Sequence, residues 1–211
     1  MFIFAIVISL AFGSFNSVFS SADQLKLSSD LVEMGNACLN RVKLDLEGVH
    51  VSLYPRYKTP DIDADPDIYR VVGNEEMNGG KTFAKLRFAS LAHLPLNQDA
   101  REGIAEIVYY VMSSKADGYV LKRADHLYPY PEKFEENPLD PTVCEKIRSF
   151  KIVFYDNEGR EHESWDSESD DNEYGTPKTV MIKISLGDDD NNFTFSTEIA
   201  LPVQRWQPVK K

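Results

Sequence analysis

Three aspartates, Asp61, Asp63 and Asp65, alternate along the segment DIDADPD as oxygen donors do in a calcium loop. They match the first three ligand positions of an EF-hand. Pro66, however, stands where that loop needs glycine, and Val72 where it needs its bidentate glutamate. The segment is therefore not an EF-hand. An irregular calcium loop and an ordinary acidic surface loop both fit it. The run DSESDDNE, residues 166–173, is denser in charge but lacks ligand-like spacing, and self-repulsion predicts a solvated loop there. Asp188 to Asp190 read as the tip of a turn. Apart from calcium at the three alternating aspartates, no cofactor is expected.

Catalytic constellations find no support. The four histidines, His50, His93, His126 and His162, are scattered, and none has the i, i+4 partner of a zinc-binding helix. No serine sits in a Gly-x-Ser-x-Gly elbow, and no glycine-rich loop precedes a helix to hold phosphate. Asp and Glu are so numerous that the proximity of two carboxylates would be weak evidence for a glycosidase dyad. Cys38 and Cys144 are the only cysteines, too few for a four-ligand metal site. Two readings of them stay open: a disulfide in an oxidising compartment, or two small buried hydrophobes.

A net charge of −11 disfavours nucleic acid as a partner, since binding phosphates requires clustered Lys and Arg. All of that charge lies after residue 22, because Asp23 is the first charged residue. The 211 residues allow one domain with an appendage, or at most two small domains. The expected division is residues 1–22 as an apolar part, and residues 23–211 as a head that includes the second half of the first helix.

Phe2 to Phe19 is rich in Phe, Ile, Val, Leu and Ala, near the limit of about 20 apolar residues that span a bilayer. An amphipathic pattern follows without a break. Leu27, Leu31, Met34, Cys38, Val42, Leu46 and Val49 recur at steps of three and four, while Lys26, Asp30, Glu33, Asn40, Lys43 and Glu47 fall opposite. A helix from Met1 to Glu47 would be about 70 Å long. Gly35 weakens it by roughly 1 kcal/mol, and Gly48 supplies a stop. Downstream the period changes to two. Val49 to Tyr54, Thr82 to Ala92 and the pair GIAEIVYYVM and YVLKRAD around SSKADG read as strands, the last two as a hairpin through Asp117-Gly118. Residues 128–142, with four prolines, must be an excursion. Two more hairpins follow, turning at DNEG and at GDDDNN. The expected class is α+β, a long N-terminal helix, apolar in its first half and amphipathic in its second, packed on a mostly antiparallel sheet.

This arrangement resembles type IV pilin-like proteins, and in detail the minor pseudopilin J family of type II secretion systems. Three stretches carry the resemblance. AIVISLAFGSFNSVFSSADQLKLSSDLVEMGNACLNRVKLDLEGV is similar to the family's rod, with Asp45 as the aspartate near its end. SFKIVFYDNEGREHESWDS is similar to its strand, turn and tryptophan segment, ending at Trp165. GTPKTVMIKISL is similar to its proline-led strand. The family's basic leader, its cleavage site before Phe and the glutamate of its mature helix have no counterpart, so the helix is expected to start upstream of Met1.

The resemblance implies a scaffold and not an enzyme. Such a protein sits in the bacterial inner membrane by a single apolar helix with its head in the periplasm, then joins a short filament, the pseudopilus, that serves export of folded proteins across the outer membrane. Its implied partners are the minor pseudopilins I and K, the major pseudopilin, and the secreted cargo. An apolar rod leaving lipid must be covered by other rods. The expected partner-helix contacts are Phe2, Phe4, Ile6, Leu10 and Phe12, and the expected helix-to-sheet core is Leu27, Leu31, Met34, Val42 and Leu46. The competing expectation is an exported, acidic, β-rich binding protein. For it, residues 1–22 are a signal peptide, with Ser20 and Ala22 at the minus-three and minus-one positions of a cleavage site.

Overall fold

The computed structural model describes residues 2–61, 65–95, 101–115, 118–188 and 191–206, with side chains from Leu25 onward. The chain opens with helix α1, Phe2–Glu47. Its apolar stripe explains which part of it packs: Leu31, Cys38, Leu39, Val42 and Leu46 are buried, whereas Leu25 and Leu27 are not. The helix ends as the sequence requires, although not through a left-handed glycine. The N–H of Gly48 closes the last turn on Leu44 O, and the Ser90 hydroxyl donates to the free carbonyl of Asp45 at 2.7 Å. A Cβ on Gly48 would lie 2.8 Å from that hydroxyl, so the absence of a side chain lets the helix end approach the sheet.

Eleven strands among the described residues follow: β1 (Val49–His50), β2 (Val72–Asn78), β3 (Lys81–Ser90), β4 (Ala105–Ser114), β5 (Gly118–Leu127), β6 (Thr142–Cys144), β7 (Ile147–Tyr155), β8 (Glu161–His162), β9 (Trp165–Asp166), β10 (Thr179–Gly187) and β11 (Asn192–Ala200). They form two antiparallel sheets. One has the order β6-β5-β4-β3-β2-β9, with β1 also paired to β3, and the other β11-β10-β7-β8.

This corrects the expected fold class. The described chain is mostly β, built from two antiparallel sheets, and is not a long helix laid over one sheet. The described buried residues of α1 run from Leu31 to Leu46, and that segment meets β10, β11 and β6. The physical reason is that the alternating strands carry enough apolar side chains to make a core between themselves. Val180, Ile182, Ile184 and Leu186 of β10 are fully buried, as are Phe150 and Phe154 of β7 and Leu86 and Phe88 of β3. The sheets touch where Phe154 lies over Gly73 of β2; a Cβ there would come within 2.1 Å of the ring.

The segment after DNEG differs in the same way. It pairs with β7 only through β8, then leaves that sheet, and β9 pairs with β2 in the other one. Trp165 thus sits in the core between sheets, its indole N–H donating to Gly175 O at 3.0 Å. The proline-rich excursion covers the outer face of β4 and β5, where Val108, Tyr110 and Ala124 form a second small core with Phe134.

Candidate functional site: the helix, its buried anchor and a neighbouring groove

Two features of α1 bear on what the chain does: what fixes it to the sheets, and what it leaves open. Asp45 lies in the last turn of α1 and is fully buried. Its carboxylate accepts from Arg123 Nε of β5 and Tyr109 OH of β4, both at 2.6 Å, and from Arg41 one turn earlier on the helix. Arg123, 1% exposed, also donates to Asp125 at 2.6 Å and to Ala92 O at 3.0 Å. His93 Nδ1 stands 2.6 Å from the other oxygen of Asp125. Burial alone would raise Asp125, but His93, the Leu94 N–H and Arg123 hold it below the usual carboxylate range. Burial pushes the Tyr109 phenol up to about 12, against the pull of Arg123 and Arg41. A charge this deep requires partners on several sides, and here β4, β5 and the helix's own preceding turn supply them. The cluster pins the helix end to the large sheet.

Of the expected helix-to-sheet residues, Leu31, Val42 and Leu46 are buried and Met34 is partly buried against the same core. Leu27 is not: at 51% exposed it lies outside the core, and its assignment to the packed face is corrected. The described buried residues of α1 begin only at Leu31, four residues later and one turn further along. Leu25 at 72% and Val32 at 38% are exposed as well. The expected partner contacts Phe2, Phe4, Ile6, Leu10 and Phe12 lie outside the residues whose side chains are described.

Asp61 and Asp65 are exposed and Asp63 lies outside the described residues. Among the described residues no group of three His, Cys, Asp or Glu side chains is placed to hold a metal ion. Asp65 instead borders a groove of about 520 Å³ between residues 65–70 and 128–132. Arg70, Arg87, Tyr128 and Tyr130 line it, and Arg70 Nε and Arg87 Nη1 are buried with no hydrogen-bond partner among the described residues. Arg87 Nε is held by Glu106 at 2.5 Å, and Glu106 Oε2 faces His126 Nδ1 at 3.8 Å. The adjacent Glu106 carboxylate raises His126 above its ordinary value, against the effect of burial. Burial would raise Glu106, yet His126 and Arg87 hold it low.

A further buried cation, missed by the sequence reading, closes the C-terminal end. Arg205, 1% exposed, reaches Asp67 at 2.9 Å, Glu168 and the Ser167 carbonyl, and stacks 3.6 Å over the ring of Tyr57. It ties the loop after β1 to the acidic run, so that run is fastened at Glu168 instead of being wholly solvated. No periodic signal in the sequence marks Arg123 or Arg205.

Among the described residues no helix is long and apolar enough to cross a membrane. In comparisons with known proteins, no family model and no curated protein matches the chain.

Proposed function

We propose that the chain is a structural assembly subunit that associates through the open side of α1, in the manner of a minor pseudopilin of a type II secretion system. The observation that carries this reading is the contrast along one helix. Leu31 to Leu46 pack on the sheets, while Leu25 and Leu27 stand exposed just before them on the same element. Apolar side chains in that position are at their most stable when another apolar surface covers them. The cluster around Asp45 supports the reading mechanically, because a load on the helix would pass into β4 and β5 through charged hydrogen bonds. On this reading the partners are other pilin-like helices of the I, K and major types, and the N-terminal part of the helix resides in the bacterial inner membrane with the head in the periplasm.

The test is the double variant Leu25→Asp/Leu27→Asp. Both positions are exposed, so its unfolding free energy should stay within about 0.5 kcal/mol of the parent. Its co-purification with other pilin-like chains from native membranes should fall at least tenfold. Unchanged co-purification would overturn the proposal.

A second reading, an exported binding protein, is favoured by the groove between residues 65–70 and 128–132, lined by Arg70, Arg87, Tyr128 and Tyr130 together with Asp65, Asp67 and Glu132. It predicts that mass spectrometry of the native protein finds a chain beginning at Asp23.

A further inference from the structure

Cys38 and Cys144 are far apart in sequence, on α1 and at the end of β6, and the fold brings them together. Both are buried and both are free thiols. Cys144 Sγ points at the carbonyl of Met34, 4.0 Å away. In an α-helix that carbonyl is the one met by the N–H of residue 38, so the Cys144 sulfur sits at the turn that carries Cys38. The neighbouring Glu145 N–H reaches Met34 Sδ at 3.5 Å, a second contact between the same turn and the same strand end. The adjacent Cys144 thiol, together with burial, pushes the Cys38 thiol far above its ordinary value. Both thiols are closed off from solvent in the folded state.

We infer that Cys38 and Cys144 are a disulfide site, which in an oxidising setting joins α1 covalently to β6. The oxidant is a disulfide compound, of the glutathione disulfide or thiol–disulfide oxidoreductase class. One cysteine thiolate attacks the oxidant's S–S bond, forming a mixed disulfide and releasing one thiol. The second thiolate attacks the protein-side sulfur, forming the Cys38–Cys144 bond and releasing the second thiol. The two thiol protons pass to the two leaving thiolates, and the two electrons reduce the oxidant's disulfide. Because both thiols are closed off once folded, the bond forms while the chain folds. It closes a loop of roughly 100 residues, long enough for a substantial restriction of the unfolded chain. This inference does not depend on the assembly reading above.

The test refolds the full chain from denaturant with glutathione disulfide present. The expected product is a monomer two mass units lighter than the reduced chain, resistant to iodoacetamide in denaturant. It should yield a cross-linked peptide containing Cys38 and Cys144, and melt several degrees higher than the dithiothreitol-treated form. Cys38→Ala and Cys144→Ala should each leave the other thiol open to alkylation and remove the shift. Two alkylatable thiols in the refolded wild type, stable glutathione adducts, or a linked form that melts lower than the reduced one would each overturn it. The wild-type comparison decides the matter even if either variant fails to fold.

Discussion

Asp45 illustrates how one side chain can fix the course of a helix. Removing its carboxylate leaves Arg123 buried at 1% exposure with its charge unpaired on the helix side. Asp45→Ala should therefore cost about 3–5 kcal/mol, measured by urea unfolding, and Asp45→Ala/Arg123→Met should recover most of it. If the double variant were no more stable than the single one, the cluster would owe its effect to packing and not to charge. The His126–Glu106 pair gives a second prediction at this scale. His126 is raised, so its contribution is fully present below its unfolded value and is lost as pH rises through its folded one. Glu106 is lowered, so its contribution is present above its unfolded value and is lost as pH falls through its folded one. An NMR titration should place His126 above 6.5 in the wild type, and Glu106→Gln should bring it down. None of these partnerships was legible in the sequence, where Asp45 stood out only through a resemblance and Arg123 through nothing. Long-range charge pairing leaves no period to read.

At the scale of elements, the α1 stripe was read correctly at Leu31, Val42 and Leu46 because a repeat of three and four marks a face wherever a partner exists. It failed at Leu27 because periodicity does not say where the partner surface stops. Truncation should show the boundary: Leu31→Ala is expected to cost about 2–5 kcal/mol and Leu27→Ala less than about 0.5 in the same unfolding assay. Gly35, which reads as a weak point, has a positive use. A Cβ there would fall 2.4 Å from the ring of Phe195, so the helix and β11 approach each other through it. Gly35→Ala should destabilise by about 1–3 kcal/mol despite alanine's better helix propensity. In a Phe195→Ala background the sign should reverse. The β2–β3 hairpin was overlooked although Gly79-Gly80, both at positive φ, is the expected pair for a two-residue turn. The crossing of β9 into the other sheet carries no local signal, since two residues are too few for alternation to point anywhere.

For the molecule as a whole, strand alternation gave antiparallel pairing but did not reveal that the strands form two sheets facing each other. Alternation specifies an inside for each strand and not which other strand shares it. With that core made by strands, α1 leaves Leu25 and Leu27 exposed ahead of Leu31, and the assembly reading rests on those two side chains. The most direct measurement places a photo-crosslinking residue at Leu25, and as a control at exposed Leu139 on the proline-rich excursion, in the protein within its native membranes. Adducts at Leu25 to other pilin-like chains, with none at Leu139, are the predicted result. Equal yields at the two positions, or a mature chain that starts at Asp23 and forms no adduct, would contradict it.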